Sequence, residues 1–214
     1  MVKRRRPLTR EESQALTREI VLEAAEELFL EQGFHATSVA QIGANAGRTP
    51  GSIYGNFPSK EALCFAVLER HYKQVIGELA DSMGAAGEDV DSKLDTFGRW
   101  WKTFSSNQRF TMLSAEYIAA VRRDAQRFDE LTAFWTVAKM MLRSILAAVG
   151  EVSADDKGAN ALLDSALVGI TSSALGLMVS EAGTMVDSET SATVLTDTMR
   201  LWMNRIQESG KPRK

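Results

Sequence analysis

The stretch from Thr37 to Leu63, TSVAQIGANAGRTPGSIYGNFPSKEAL, constrains the fold more than any other part of the chain. Two short helix patterns lie on either side of a glycine turn and run into a third helix. Ser38 followed by Gln41 forms a capping box, which predicts where the first helix begins. Gly47 supplies the residue at which that helix ends. This layout is typical of a helix-turn-helix unit that binds DNA.

The second helix of the pair begins with Thr49 as N-cap and Pro50 at the first helical position. Ile53 and Phe57, four residues apart, are expected to face inward, which leaves small and hydroxyl-bearing side chains outside. Such side chains suit close approach to phosphates and base edges. Lys60 stands in the first turn of the next helix, where the helix dipole disfavours a cation and a phosphate would offset that conflict. We therefore predict DNA contacts from Thr37, Arg48, Thr49, Pro50, Gly51, Ser52, Tyr54, Asn56 and Lys60.

Each of these residues has a purely structural alternative when it is considered alone. Tyr54 can cover the edge of a core, Lys60 can be an ordinary solvated lysine, and Thr37 can make a local turn contact. The joint spacing of the motif is what favours DNA binding.

Four consecutive cations, Lys3 to Arg6, precede Pro7 at the start of the chain. A flexible basic arm can contact phosphates or enter a minor groove, so Arg4, Arg5 and Arg6 are further candidates for DNA contact. A disordered solubilising terminus explains the same residues equally well. The difference in charge between the two parts of the chain is modest. Residues 1–73 carry ten Lys or Arg and nine Asp or Glu, and the net charge of the whole chain is −3.

The same block closely resembles the DNA-binding region of TetR-type transcriptional regulators. Their first helix is similar to ALTREIVLEAAEELFLEQGFHATS, and their recognition segment is similar to AGRTPGSIYGNFPSKEAL. The resemblance is strong over about the first 65 residues and implies a DNA-binding regulator. Two positions depart from the family pattern, since Gly55 replaces a larger residue and Asn56 stands where histidine is common. A glycine inside a helix costs about 1 kcal/mol relative to alanine, so Gly55 is expected to soften the recognition helix unless groove contact demands a bare backbone there.

The rest of the chain shows helical periodicity without strand alternation. A helix from Ser59 to about Met83 connects the DNA-binding block to the segment GAAGEDVD at residues 84–91, which reads as a loop. Further helices are expected at about 92–105, 107–122, 125–149, 155–183 and 188–208. We predict an all-α protein with a helix-turn-helix domain at 1–58, a connecting helix at 59–83, and a helical effector-binding and dimerisation domain at 84–214.

Aromatic and methionine side chains concentrate between residues 97 and 141. Most of them are expected to form core, yet large rings and thioethers also line apolar ligand cavities. Neighbouring polar residues can orient a ligand or only meet solvent. The predicted lining comprises Trp101, Phe104, Met112, Glu116, Tyr117, Trp135 and Met141.

The last two predicted helices combine small residues with a large apolar surface. In the resembling family, the last two helices of each protomer form a four-helix homodimer interface. Two DNA-binding domains related by a two-fold axis match palindromic half-sites in successive major grooves. The residues predicted at this interface are Leu167, Ile170, Ala174, Leu177, Leu195, Trp202 and Ile206.

Composition excludes several other classes of protein. No uninterrupted apolar run approaches the roughly 18 residues that a membrane span needs, and no signal peptide is visible, so a cytoplasmic protein without membrane contact is expected. Cys64 is the single cysteine, which excludes an intramolecular disulfide and favours a buried structural thiol over a redox sensor.

Catalytic and metal-binding motifs are missing from the sequence. His35 and His71 do not belong to a metal-ligand spacing or a catalytic triad, and no glycine-rich phosphate loop is present, so we expect neither an enzyme nor a cofactor. The sequence predicts a repressor that a small, largely apolar effector releases from a palindromic operator on double-stranded DNA. The alternative is a helical protein-interaction adaptor with no small-molecule ligand, which would leave the capped helix pair unexplained.

Overall fold

The computed structural model describes Arg6 and residues 9–209, and within these residues it forms nine α-helices and no strand. The predicted all-α class is therefore confirmed. Arg4 and Arg5 lie outside the described residues. The helices are α1 (Arg10–Gln32), α2 (Val39–Ala46), α3 (Pro50–Tyr54), α4 (Lys60–Gly84), α5 (Val90–Ser105), α6 (Gln108–Val121), α7 (Ala125–Val149), α8 (Lys157–Ala182) and α9 (Ser188–Ser209).

Local capping signals explain most of these helix boundaries. The capping box of Ser38 and Gln41 forms at the start of α2, and Gly47 ends that helix in the left-handed conformation with φ of 59°. The predicted loop before α5 is shorter than expected, because Asp89 accepts a hydrogen bond from the Ser92 backbone N–H at 2.9 Å and starts the helix at Val90.

The chain divides into two compact units. The first contains the described residues up to Arg70 together with Leu113–Phe128, and the second contains His71–Met112 with the described residues from Asp129 onward. This division differs from the predicted boundaries, since α4, α6 and α7 each contribute residues to both units.

The first unit has an aliphatic and aromatic core. Helix α2 packs against both α1 and α3, and α6 adds the buried Leu113 and Tyr117. The Tyr117 ring lies 6.1 Å from the ring centroids of both Phe34 and Phe65. Three-residue and four-residue spacing of apolar side chains along α1 provides the face that makes this packing possible.

The second unit buries one face of α5, α8 and α9. Leu94, Leu163 and Leu195 are fully buried in this core, and α9 packs against both α5 and α8. Trp101 lies in the same core, where its indole N–H donates to the hydroxyl of Ser191 at 2.9 Å. A buried indole that has found an acceptor is a stable part of a core.

Two helices, α7 and α8, are long and apolar enough by length and composition to cross a bilayer. The expectation drawn from uninterrupted apolar runs did not anticipate this, because isolated polar residues interrupt both segments. In the most apolar window of α8, 28% of the residues are buried inside the chain. Much of the apolar surface of α8 is therefore open on the chain alone.

Candidate nucleic-acid interface and effector region

The turn between α2 and α3 is held by the backbone. The Arg48 N–H donates to the Gly43 carbonyl at 2.8 Å, and a Cβ added to Gly43 would lie 2.7 Å from the Arg48 carbonyl oxygen. Gly43 therefore permits a close approach of the two backbone segments that no other residue allows. The sequence analysis considered only Gly47 in this turn and missed the requirement at Gly43.

Helix α3 presents one face to solvent and buries the other. Thr49 accepts the Ser52 backbone N–H at 3.3 Å and Pro50 occupies the first position, as predicted. Ile53 and Phe57 are buried, whereas Tyr54 is 53% exposed.

Gly55 follows the last residue of α3 instead of lying inside the helix. Its backbone is right-handed, with φ of −67°, and therefore needs no glycine. Gly55 therefore lies just outside the helix that it was expected to soften.

The structure brings most of the predicted DNA-contacting residues to one part of the first unit. Thr49, Pro50 and Gly51 are exposed, and Arg48, Ser52 and Asn56 are partly buried. Arg6 is exposed and forms an ion pair with Glu12 at 2.5 Å. The Arg18 guanidinium donates to the Asn56 carbonyl at 3.3 Å and lies 4.3 Å from the centre of the Phe57 ring, so α1 braces the end of α3.

Thr37 is 1% exposed, which contradicts the predicted phosphate contact. Its hydroxyl donates to the Gly33 carbonyl at 2.8 Å and lies 3.2 Å from the Leu28 carbonyl. The side chain closes the turn between α1 and α2. The structural alternative stated for this residue is the one observed.

The ammonium group of Lys60 is engaged by the same turn. It donates to the carbonyls of Phe34 and Thr37 at 2.9 and 3.1 Å, and it lies 4.3 Å from the centre of the Phe34 ring. Two carbonyl oxygens and a ring face therefore stabilise a cation that the dipole of α4 disfavours. The unfavourable position of this cation in the first turn of α4, which had suggested a phosphate contact, is therefore offset by groups of the protein itself.

Glu116 reaches the same turn from α6. Its Oε2 accepts the Phe34 backbone N–H at 2.7 Å, and a Cβ on Gly33 would meet its Oε1 at 2.9 Å. The prediction that Glu116 and Tyr117 line an effector cavity is wrong, because both side chains serve the packing of the first unit. The sequence could not reveal this contact, since 82 residues separate its partners.

Cys64 is fully buried in the first unit. Burial raises the pKa of its thiol, and Glu116 raises it further, against an opposing influence of Lys60. Such a thiol is protonated and inaccessible, which agrees with a structural role.

In the second unit, the predicted effector-lining residues fall into three groups. Trp101 belongs to the core, Met112 and Met141 are each 51% exposed, and Phe104 and Trp135 are partly buried. Trp101 is therefore closed off by packing, while the two methionines lie at the surface. Only the partly buried pair keeps the exposure expected of a cavity wall.

A group of partly buried rings surrounds that pair. His71 stacks on the buried Phe110 at 3.5 Å between ring centroids, and it lies 6.4 Å from Phe104. Tyr72 meets Trp135 edge-on at 5.1 Å. The sequence analysis placed His71 on the connecting helix without assigning it to this aromatic group.

Most of the predicted dimer residues lie on the faces of α8 and α9 that pack inside the chain itself. Leu167, Ile170, Leu195 and Ile206 are buried in the chain's own core, and Ala174, Leu177 and Trp202 are partly buried. The large apolar side chains that remain exposed on these helices are Val168 (64%), Leu175 (61%), Val179 (49%), Val194 (45%) and Leu201 (67%). We call these five residues the α8–α9 apolar stripe.

The geometry of α2 and α3 defines a helix-turn-helix protein of the all-α class. Residues 21–67 match the family described as bacterial regulatory proteins, tetR family. The HTH-type transcriptional regulator UidR of Escherichia coli (strain K12) is 35% identical over 65 residues, which cover 30% of this chain and 33% of UidR. The chain thus matches about a third of the length of that relative. Over this segment the chain is similar to the tetR family, and the resemblance seen in the sequence is confirmed.

Solved structures extend the similarity of fold to most of the chain. A proposed transcriptional regulator from Saccharomonospora viridis, in complex with choline, has a TM-score of 0.68 at 14% identity and covers 87% of this chain and 96% of its own. The transcriptional regulator FadR from Bacillus subtilis, in complex with stearoyl-CoA, has a TM-score of 0.64 at 15% identity, with coverages of 85% and 96%. The expectation of a non-enzymatic chain agrees with these names and with that of UidR.

Proposed function

We propose that this chain is a DNA-binding transcriptional regulator that represses by binding a palindromic operator as a homodimer, and that a small, largely apolar effector releases it. One observation carries the proposal. The α2–α3 pair is a capped helix-turn-helix with an exposed Tyr54, in the segment that matches the tetR family.

DNA contact is assigned to the exposed side of α3 and the turn before it. Tyr54, Thr49 and the backbone at Gly51 would meet base edges and phosphates, and Arg48 would add a phosphate contact. Lys60 is assigned mainly to positioning, because its ammonium already serves two carbonyls.

Dimerisation is supported by the α8–α9 apolar stripe. Val168, Leu175 and Val179 fall on one face of α8, because steps of seven and four residues return close to the same angle on a helix. An exposed apolar patch of this kind usually marks an interaction surface. A second copy of the chain would bury it and relate the two α3 helices by a two-fold axis, as a palindrome requires.

Effector binding is assigned to the partly buried rings of the second unit, including His71, Tyr72, Phe104 and Trp135. Two proteins of similar fold are in complex with choline and with stearoyl-CoA, which supports a small-molecule ligand for this chain. Release from the operator requires that the effector bind the DNA-incompetent state more tightly, because a ligand with equal affinity for both states shifts neither.

Selection of bound sequences from a random duplex pool tests the DNA-binding role directly. The purified protein is expected to recover a palindrome and to bind it far more tightly than random DNA, with an affinity that falls steeply as salt rises. Recovery of no preferred sequence would favour the adaptor alternative.

The Tyr54→Ala variant tests the assignment of α3. Loss of one base or phosphate contact in each protomer is expected to weaken operator binding about tenfold or more, with unchanged helicity. Met185→Ala is the matched control, because Met185 is 72% exposed outside the DNA-binding unit. Equal affinities for the two variants would contradict the assignment.

Sedimentation velocity of Leu175→Glu and Leu201→Glu tests the dimer. Each variant places a carboxylate in the α8–α9 apolar stripe and is expected to shift the protein to monomer. Met140→Glu is the control, because Met140 is equally exposed on α7. A wild-type monomer at micromolar concentration would refute the dimer outright.

A further inference from the structure

Three buried polar atoms of the second unit lack hydrogen-bond partners among the described residues. They are the hydroxyls of Ser105 and Thr111 and Oε1 of Glu181. Ser105 is 0%, Thr111 4% and Glu181 3% exposed, so water cannot readily serve them. Buried polar atoms in native proteins are nearly always paired, and each exception calls for an explanation.

These three atoms belong to neighbouring parts of the fold. Ser105 ends α5 and Thr111 lies in the first turn of α6, one helical turn beyond Gln108. The Gln108 side-chain amide donates to the Glu181 backbone carbonyl at 3.2 Å, which ties this α5–α6 turn to the end of α8. The residue that carries the carboxylate is thus held at the turn on which both hydroxyl residues stand.

The carboxylate of Glu181 is the costliest of the three groups to leave unpaired. It has no ion pair among the described residues, and a buried charge needs a partner or hydrogen bonds. Glu181 also stands in the last turn of α8, where the negative end of the helix dipole disfavours an acid. A bound cation would remove both penalties.

Aromatic residues stand next to both hydroxyl residues in the sequence. Phe104 precedes Ser105 and Phe110 precedes Thr111, and both rings pack on His71. Ring faces attract cations and also accept an apolar chain, so they suit a ligand with both features. We propose that Ser105, Thr111 and Glu181 form a binding site for the primary ammonium group of an amphipathic amine, whose apolar part contacts these rings.

A primary ammonium matches the site in its number of hydrogen-bond donors and in the sign of its charge. It carries three N–H donors and one positive charge, and the site offers two hydroxyl oxygens and one carboxylate oxygen. An alcohol would leave the carboxylate without a counter-charge, and a carboxylic acid ligand would place two acids together. The inference rests on the proposed effector-binding role of the C-terminal helices and narrows the effector class.

Calorimetric titration of the full-length protein with octylammonium, 1-octanol and octanoate tests the site. The three probes share one chain and differ only in the head group. We expect saturable binding of octylammonium about tenfold or more tighter than that of octanol, and no binding of octanoate. Equal affinities for octylammonium and octanol would overturn the proposal.

Glu181→Gln keeps the shape of the side chain and removes its charge. It is expected to weaken octylammonium binding about tenfold and to leave octanol binding unchanged. Glu208→Gln is the matched control, because Glu208 is an exposed acid in the last turn of α9. Unchanged octylammonium affinity in Glu181→Gln would overturn the proposal. If that variant does not fold, Ser105→Ala combined with Thr111→Val decides: a severalfold loss of octylammonium affinity supports the site, and full retention overturns it.

Operator release is measured separately with the selected duplex. Glu181-dependent binding of octylammonium without operator release would support the amine site and refute the effector role. Selection of an operator by a protein that binds no octylammonium would support the regulator and refute the site. The two proposals can therefore fail independently.

Discussion

The hydrogen bond from the Phe34 backbone N–H to Glu116 carries a quantitative prediction about the first unit. The donor and acceptor are 2.7 Å apart, and Phe34 is 2% exposed, so water is a poor substitute for the carboxylate. A hydrogen bond to a charged group contributes about 1.5–3 kcal/mol. We therefore expect Glu116→Ala to lower the free energy of unfolding of this unit by about 2 kcal/mol.

Glu116→Gln keeps an acceptor in place and is expected to cost about 1 kcal/mol or less, since it loses only the charge. Glu31→Ala is the control: Glu31 is an exposed acid on α1, and its removal should change stability by less than about 0.5 kcal/mol. Urea unfolding followed by circular dichroism gives the free energies. Hydrogen exchange at the Phe34 amide reports the bond itself and should accelerate in Glu116→Ala alone.

Gly33→Ala completes a double-mutant cycle with Glu116→Ala. Alanine at position 33 is expected to destabilise the unit for two reasons, a φ of 84° and a Cβ placed 2.9 Å from Oε1 of Glu116. The second reason disappears when Glu116 is alanine, so the double variant should lose less stability than the sum of the single variants. Additive losses, or a Glu116→Ala variant as stable as Glu31→Ala, would refute the reasoning.

Three further predictions concern local features. The thiol of Cys64 should resist an aromatic disulfide reagent in the folded protein and react once urea unfolds it, because burial raises its pKa; rapid labelling without urea would contradict this. Asp89→Ala should destabilise the protein at pH 6 and progressively less as the pH falls below 3.8. The Ser92 hydroxyl and N–H lower the Asp89 pKa, so the folded state benefits only from the charged form of the carboxylate. A pH-independent difference in urea midpoint between this variant and the wild type would refute the cap. Gly55→Ala should stabilise the fold by about 0.5–1 kcal/mol, because an added Cβ meets only carbonyl oxygens at 3.5 and 3.6 Å; a lower thermal midpoint would show strain at this position.

Local signals in the sequence determined where the helices begin and end. The Ser38 and Gln41 box, the left-handed Gly47 and the Thr49–Pro50 start all form as predicted. Each of these signals involves backbone groups within three or four residues of the side chain, so the chain specifies them without tertiary contacts.

The sequence pattern could not predict which faces of α8 and α9 are buried. In α8 the buried Leu167 and the exposed Val168 are neighbours of equal apolarity, so periodicity alone could not separate core from open surface. Packing against α9 settles which of the two faces inward. Four of the predicted dimer residues are therefore buried in the core of the chain, and the sequence pattern did not single out the exposed α8–α9 apolar stripe.

The sequence by itself determined the all-α class, the capped helix-turn-helix and the exposure of Tyr54, because these follow from short-range capping and apolar spacing. Only the tertiary structure decided the partners of Lys60 and Glu116, both of which serve the turn between α1 and α2. A buried polar group needs a partner wherever the fold can provide one, and that partner can lie 82 residues away. Sequence spacing carries no record of such distant pairs, so the roles of these side chains emerged only from the folded chain.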